Sequence, residues 1–236
     1  MRVRALATDY DGTLAWHSTV EYSTCAALQQ LKDAGCKLIL VTGRELHDLF
    51  SVFDAARMFD LIVAENGGLL YEPATERTEV LGPEPPDEFV DRLRERGVHP
   101  LSVGRTIVAT QETYCGVVRE IIKELALDWQ VILNKGALMV LPGKVDKASG
   151  LQVALGELGL RASEIVGVGD AENDHAFLEL CGWSVAVANG LDSLKARVDL
   201  TTRGSRGAGV EELISKILAD ELPERRAKLL QQELAG

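Results

Sequence analysis

The chain has 236 residues, 46% of them hydrophobic and 26% charged, enough to bury one large core or a core with a smaller companion. Its formal net charge of -11 excludes a protein built to grip the nucleic-acid backbone or an anionic membrane surface, because both tasks need basic patches. No apolar run approaches the ~20 residues of a membrane helix, and acidic residues interrupt the N-terminal segment where a signal peptide would continue apolar.

Val3 to Thr8 reads as a buried strand, closed by the turn residues Gly12 and Thr13. Between them stands Asp9-Tyr10-Asp11. In an extended segment the two carboxylates point the same way and repel, which a folding role alone does not require. Tyr22 to Ala34 is expected as a helix with Cys25, Leu28 and Leu31 on one face, ended by Gly35. A strand from Cys36 to Val41 follows, then Thr42-Gly43-Arg44, a helix through Phe53 and a strand from Leu61 to Ala64. Repeated βα units of this length imply a parallel sheet with helices on both faces.

The texture changes at the proline and acid cluster GPEPPDE, residues 82 to 88. A charged helix from Glu88 to Arg96 and a strand around Arg105 to Thr110 come next. Tyr114, Val117, Val118, Ile121, Ile122 and Leu125 then fall on one helical stripe. Val131 to Leu133 and Ala137 to Leu141 read as a hairpin through Asn134-Lys135-Gly136. From Asp146 the first texture returns, with a helix carrying Leu151, Ala154, Leu155 and Leu158 and strands from Glu164 to Val168 and Ser184 to Val187. The stretch from Glu221 reads as a polar helix on the surface. The expected fold class is α/β, a Rossmann-like doubly wound parallel sheet over residues 1–81 and 144–236, with a small α+β insert over residues 82–143. Cys25, Cys36, Cys115 and Cys181 form no C-x-x-C and are expected as free thiols, which makes the cytoplasm the default location.

In open α/β sheets the active site lies at the carboxyl ends of the strands. There the first strand delivers Asp9, Asp11 and Thr13, and the second delivers Thr42-Gly43-Arg44. The strand ending at Val168 delivers Gly169-Asp170-Ala171-Glu172-Asn173-Asp174, and Asp146-Lys147 opens the preceding helix with an ammonium. Clustered acids suit a hard cation such as Mg²⁺. A hydroxyl, helix N-terminal amides and a lysine make an anion cradle. A cation beside an anion cradle, with a spare carboxylate, describes phosphoryl transfer.

The stretches DYDGTL, VTGR, the lysine of DKASGL and GDAEND resemble, in order, the four motifs of the haloacid dehalogenase superfamily. The insert lies between the second and third motifs, as in its subclass IIB, and AENGGLLY (64–71) resembles the segment leading into that subclass's cap. The resemblance implies a Mg²⁺-dependent phosphatase acting through an aspartyl-phosphate, with Asp9 as nucleophile and Asp11 as general acid and base. It implies Mg²⁺ held by Asp9, the Asp11 carbonyl and Asp170, with Asp174 direct or through water. Thr42, Gly43 and Lys147 would bind the phosphoryl oxygens, and Asn173 would bond to Lys147 or to the phosphoryl group. An acid at position 11, where dehalogenases lack one, favours turnover by a phosphatase or a phosphosugar mutase over a stable phospho-aspartate. A non-catalytic phospho-acceptor is the alternative from another class; such receiver domains lack the large insert and the second aspartate. The expected partner is a small phosphorylated metabolite, a sugar phosphate or a compound like phosphoglycolate. Arg44, Asn66, Arg105 and Lys135 are the candidates for reading its remainder.

Overall fold

In the computed structural model, which describes residues 3–134 and 136–222, the apolar runs become strands. The chain begins with β1 (Ala5–Thr8), α1 (Tyr22–Asp33), β2 (Lys37–Val41), α2 (Leu46–Val52), β3 (Leu61–Ala64), β4 (Leu69–Glu72) and β5 (Arg77–Val80). Then come α3 (Asp87–Glu95), β6 (Ser102–Val103), β7 (Val108–Gln111), α4 (Cys115–Glu124), β8 (Trp129–Asn134) and β9 (Ala137–Pro142). The last part is α5 (Lys147–Leu158), β10 (Ile165–Gly169), α6 (His175–Leu180), β11 (Trp183–Ala186), α7 (Asp192–Lys195), β12 (Leu200–Thr201) and α8 (Arg206–Leu218).

Eight strands form one sheet in the order β12-β11-β10-β1-β2-β3-β4-β5. From β12 to β3 every pairing is parallel, and β4 and β5 continue the sheet antiparallel. The central strand β1 is buried throughout because both its faces are covered, which is why it reads as a continuous apolar run. Leu6, Leu40 and Val166 pack with Leu28 and Leu31 of α1 and Leu213 and Ile214 of α8. Ala5, Ala7 and Ile39 face Leu151 and Leu155 of α5 and Phe177 and Leu178 of α6. Among the described residues no helix is long and apolar enough to cross a membrane.

The second sheet is antiparallel, in the order β6-β7-β9-β8. Alternation sorts its side chains. Val108, Leu138 and Val140 pack under α3 and α4 against Phe89, Leu93, Val118 and Ile121. Ile107, Met139 and Leu141 lie on the other face and cluster with Val145. The strand expected around residues 105–110 starts only at Val108, as β7, and an unexpected short β6 precedes it, the chain reversing where the Gly104 amide donates to the Ile107 carbonyl at 2.8 Å. The pair β4–β5 carried no recognised signal, since three of the four residues of β5 are exposed and its pattern is polar. Lys135 and the polar stretch beyond residue 222 lie outside the described residues.

The turn joining β3 to β4 binds the two sheets together. Glu65, Asn66 and Gly67 all take positive φ values, 50°, 54° and 109°. A side chain at Gly67 would meet the Asp146 carbonyl oxygen at 1.9 Å, so glycine is what lets this turn press against the start of α5. Glu65 is buried, and its carboxylate accepts from the Arg105 amide at 3.1 Å, the Thr106 amide at 2.7 Å and the Thr106 hydroxyl at 3.1 Å. A core residue thus caps the β6–β7 turn of the second sheet. Glu65→Ala would strand these donors away from water, and we expect a loss of about 1–3 kcal/mol, read from the urea midpoint at unchanged slope. A midpoint equal to that of the parent protein would mean that the clamp contributes nothing.

Candidate active site

The parallel strands bring their carboxyl ends to one edge, and there β1 and β10 lie side by side, Thr8 opposite Val168. Asp9 follows β1 directly and is 5% exposed. Asp170 follows β10, and its carboxylate Oδ1 accepts from the Thr13 hydroxyl at 2.9 Å. Carboxylate oxygens of Asp9, Asp170 and Asp174 all lie within 4.8 Å of one another, and all three residues are buried.

Lys147 reaches this group from the first turn of α5, whose N-cap Asp146 accepts from the Ser149 amide while the Ser149 hydroxyl bonds back to the Asp146 amide. Its ammonium, 1% exposed, donates to Asp9 Oδ1 at 2.6 Å and to Asp174 Oδ1 at 2.7 Å. The other oxygen of Asp174 accepts from the Asp170 and Ala171 amides at 2.8 and 2.9 Å. Gly169 permits that approach, because a side chain there would meet Asp174 Oδ2 at 2.6 Å. Asp174 therefore fastens the lysine to the loop after β10.

Burial pushes the Asp9 carboxyl well above the usual carboxylate range, and Asp174 and Asp170 push in the same direction while Lys147 opposes them. For Lys147, burial favours the neutral amine, but Asp174 and Asp9 outweigh it and hold the ammonium above the ordinary lysine value. Three buried carboxylates around one ammonium leave an excess of negative charge. The donor set is all oxygen and hard, so it fits a divalent cation of the Mg²⁺ type.

Asp11 has a different environment from Asp9. Its carboxylate is 46% exposed and is gripped by both arms of Arg44, Nε to Oδ2 at 2.7 Å and Nη2 to Oδ1 at 2.8 Å. Arg44 also donates to Asp48 at 2.6 Å and to the Ser18 hydroxyl at 2.8 Å, so its fork is already occupied by protein. The repulsion expected between Asp9 and Asp11 is thus met by a separate cation for each. Thr42 is buried, and its hydroxyl accepts from the Arg44 amide at 3.1 Å.

Asn173 bonds not to Lys147, whose ammonium Asp9 and Asp174 hold, but to Asn66, with its Nδ2 donating to Asn66 Oδ1 at 3.0 Å. Asn66 Nδ2 and Asn173 Oδ1 stay buried with no partner among the described residues, a donor and an acceptor that a ligand could satisfy. The Arg105 side chain turns to Glu84, at 3.2 Å, and is 60% exposed. Sequence reasoning missed Met139, whose sulfur lies 3.2 Å from where a side chain on Gly43 would begin, and so roofs the loop after β2. The alternation of Leu138, Met139, Val140 and Leu141 carried that information, once one face was assigned to the helices.

A model of the haloacid dehalogenase-like hydrolases matches residues 6–115 and 99–214 of the chain. A phosphoglycolate phosphatase of Methanothermobacter thermautotrophicus is 28% identical over 224 residues, spanning 92% of this chain and 99% of that protein. One from Sulfolobus acidocaldarius is 28% identical over 229 residues, spanning 94% of this chain and 100% of that protein. Among solved structures, a haloacid dehalogenase-like hydrolase from Bacteroides thetaiotaomicron superposes with a TM-score of 0.80 at 18% identity, covering 92% of this chain and 100% of that one. A subclass IIB sugar phosphatase superposes with a TM-score of 0.75 at 17% identity, covering 94% of this chain and 100% of that one.

Proposed function

Since the chain belongs to the haloacid dehalogenase-like hydrolases, we propose that it is a Mg²⁺-dependent phosphatase of small phosphomonoesters that works through an aspartyl-phosphate. The observation that carries this reading is the buried Lys147 ammonium joining Asp9 to Asp174 beside Asp170. The phosphoglycolate phosphatases and the sugar phosphatase bracket the range of substrates to be considered.

In this reading Asp9 attacks phosphorus in line, and the P–O bond to the leaving alcohol breaks as the bond to the Asp9 oxygen forms. Asp11, half-exposed, would take up a proton from solvent in place of one Arg44 arm, give it to the departing oxygen, and then take one from the water that hydrolyses the acyl phosphate. The two-armed grip of Arg44 aims that carboxylate. Lys147, the Thr42 hydroxyl and the Gly43 amide would take the phosphoryl oxygens, and the unpaired Asn66 Nδ2 and Asn173 Oδ1 would serve a ligand as well. Asp9, Asp170 and the Asp11 carbonyl would hold Mg²⁺, and Asp174, already committed to Lys147 and two amides, would reach it through water. When bound, the ion would neutralise charge on the phosphoryl oxygens. Residues 82–143 would form the cap that closes over the site and excludes water.

The test is release of phosphate from an aryl phosphate with Mg²⁺ and with excess chelator, for the parent protein and for Asp170→Ala. Activity should vanish in chelator, and Asp170→Ala should need at least about tenfold more Mg²⁺ for half-maximal rate. Full activity in chelator would remove the metal from the reading, and an unchanged Mg²⁺ requirement would remove Asp170 from the metal's ligands.

A further inference from the structure

Every nitrogen of the Arg44 guanidinium has a partner, and the partners fall into two groups. Nε and Nη2 reach the two oxygens of Asp11, at 2.7 and 2.8 Å. Nη1 reaches Asp48 Oδ2 at 2.6 Å, and Nη2 also reaches the Ser18 hydroxyl at 2.8 Å. The guanidinium stands over the Tyr10 ring, its central carbon 5.2 Å from the ring centroid. Tyr10 is itself buried, stacks on Phe53 at 5.4 Å and donates its hydroxyl proton to the Ser18 carbonyl at 3.0 Å. The tight turn from Trp16 to Thr19, closed by two backbone bonds of 2.9 and 3.0 Å, holds Ser18 in this place.

The two groups of partners behave differently when a proton moves. A carboxylate that takes up a proton turns one of its acceptors into a donor, and a donor cannot keep its bond to a guanidinium N–H. Asp11 must therefore let go of one Arg44 arm before it can act as an acid, and its pull on the guanidinium weakens with its charge. Asp48 and Ser18 take no part in that exchange. Asp48 lies in the first turn of α2, four residues after Arg44, so the helix fixes it against the loop that carries the arginine. Among the described residues its carboxylate makes the one ionic bond that Arg44 can keep through the whole cycle.

Resting on the phosphatase reading, we propose that Asp48 is a positioning residue for the proton transfer. It holds Arg44 still while Asp11 gains and loses its proton, so that Asp11 stays aimed at the departing oxygen. Asp48 is 56% exposed, and an ion pair with so exposed a partner contributes little to stability. Its effect falls on geometry instead, where a misplacement of about 1 Å costs up to about 10²-fold in rate. The role is therefore visible in catalysis and silent in the fold.

The experiment compares kcat/KM for a nitrophenyl phosphate, whose leaving group departs as a stable anion, with kcat/KM for an alkyl phosphate, whose leaving oxygen needs the proton. The alkyl ester is whichever of phosphoglycolate and a hexose 6-phosphate the parent hydrolyses faster. The variants are Asp48→Asn, Arg44→Gln and the two combined, each with its urea midpoint. Asp48→Asn should lower kcat/KM on the alkyl ester by about tenfold or more, a part of what a general acid supplies, and leave the aryl ester within about twofold. Its urea midpoint should match that of the parent. Added to Arg44→Gln, the same change should move neither ester further, because Asp48 acts only through the guanidinium. Parental rates on both esters, or an equal loss on both, overturn the proposal, the latter by making Asp48 a substrate contact or a structural group. An undiminished loss in the Arg44→Gln background overturns it too, since Asp48 would then act by a route that bypasses the arginine. All of these outcomes leave the phosphatase reading standing. No phosphate release from any ester by the parent overturns that reading and this proposal with it.

Discussion

Asp9→Asn is expected to lower kcat on every phosphoester by about 10⁴-fold or more, the scale seen when a nucleophile that acts within a catalytic unit is removed. The replacement is isosteric, so Lys147 can keep its bond to Asp174 and the end of β1 keeps its shape. An amide oxygen neither attacks phosphorus nor carries the charge that a cation would pair with. The same change should not harm the fold. Asp9, Asp170 and Asp174 crowd one ammonium, and burial disfavours the ionised form of Asp9, so deleting one carboxylate relieves the crowding. Without Mg²⁺ the melting temperature of Asp9→Asn should equal or exceed that of the parent, and added Mg²⁺ should stabilise it less than it stabilises the parent. A variant that keeps even a hundredth of the parent kcat would place the nucleophile elsewhere. A variant that loses activity only because it melts early would make Asp9 a structural residue.

Lys147→Met should be the most destabilising single change at the site. The side chain fills about the same space, so packing alone predicts little loss. What disappears is the ammonium that holds Asp9 and Asp174 together in a place where neither is exposed to water. Removing one partner of a buried ionic group costs about 3–5 kcal/mol, because the remaining charge stays buried and uncompensated. Two carboxylates lose their partner here, with a third beside them, so the upper part of that range is expected. Mg²⁺ should restore part of the loss by supplying positive charge to the same acids. Chemical denaturation in chelator and then in millimolar Mg²⁺ measures both quantities. Equal stability of variant and parent in chelator would show that the ammonium does not offset the acids. Catalysis should fall as well, by about 10²–10³-fold, the cost of removing one donor to the transition state.

The sequence by itself determined the class of the fold and the edge at which chemistry gathers. Parallel βα units announce themselves locally, through apolar runs such as Val3 to Thr8 and the helical stripe of α1. Their carboxyl ends must then converge whatever the details of packing. Asp9, Asp11, Thr42 and Asp170 could be picked out because each stands within a few residues of such an end, and Lys147 because it opens the helix that precedes β10.

What only the tertiary structure decided are the partnerships between residues far apart in the chain. Arg44 looked like a substrate reader, and packing gave it to Asp11, 33 residues away. Asn173 went to Asn66, 107 residues away, and not to Lys147. Glu65, quoted in a motif with no role of its own, became the anchor of the second sheet's β6–β7 turn, 40 residues on. Glu45, just before α2, and Ser102 of the second sheet meet 57 residues apart. Periodicity fixes which way a side chain faces over one or two turns of its own element. It carries no information about which distant group arrives within 3 Å, because that distance is set by how helices and sheets pack and by which buried charges must find a counter-charge.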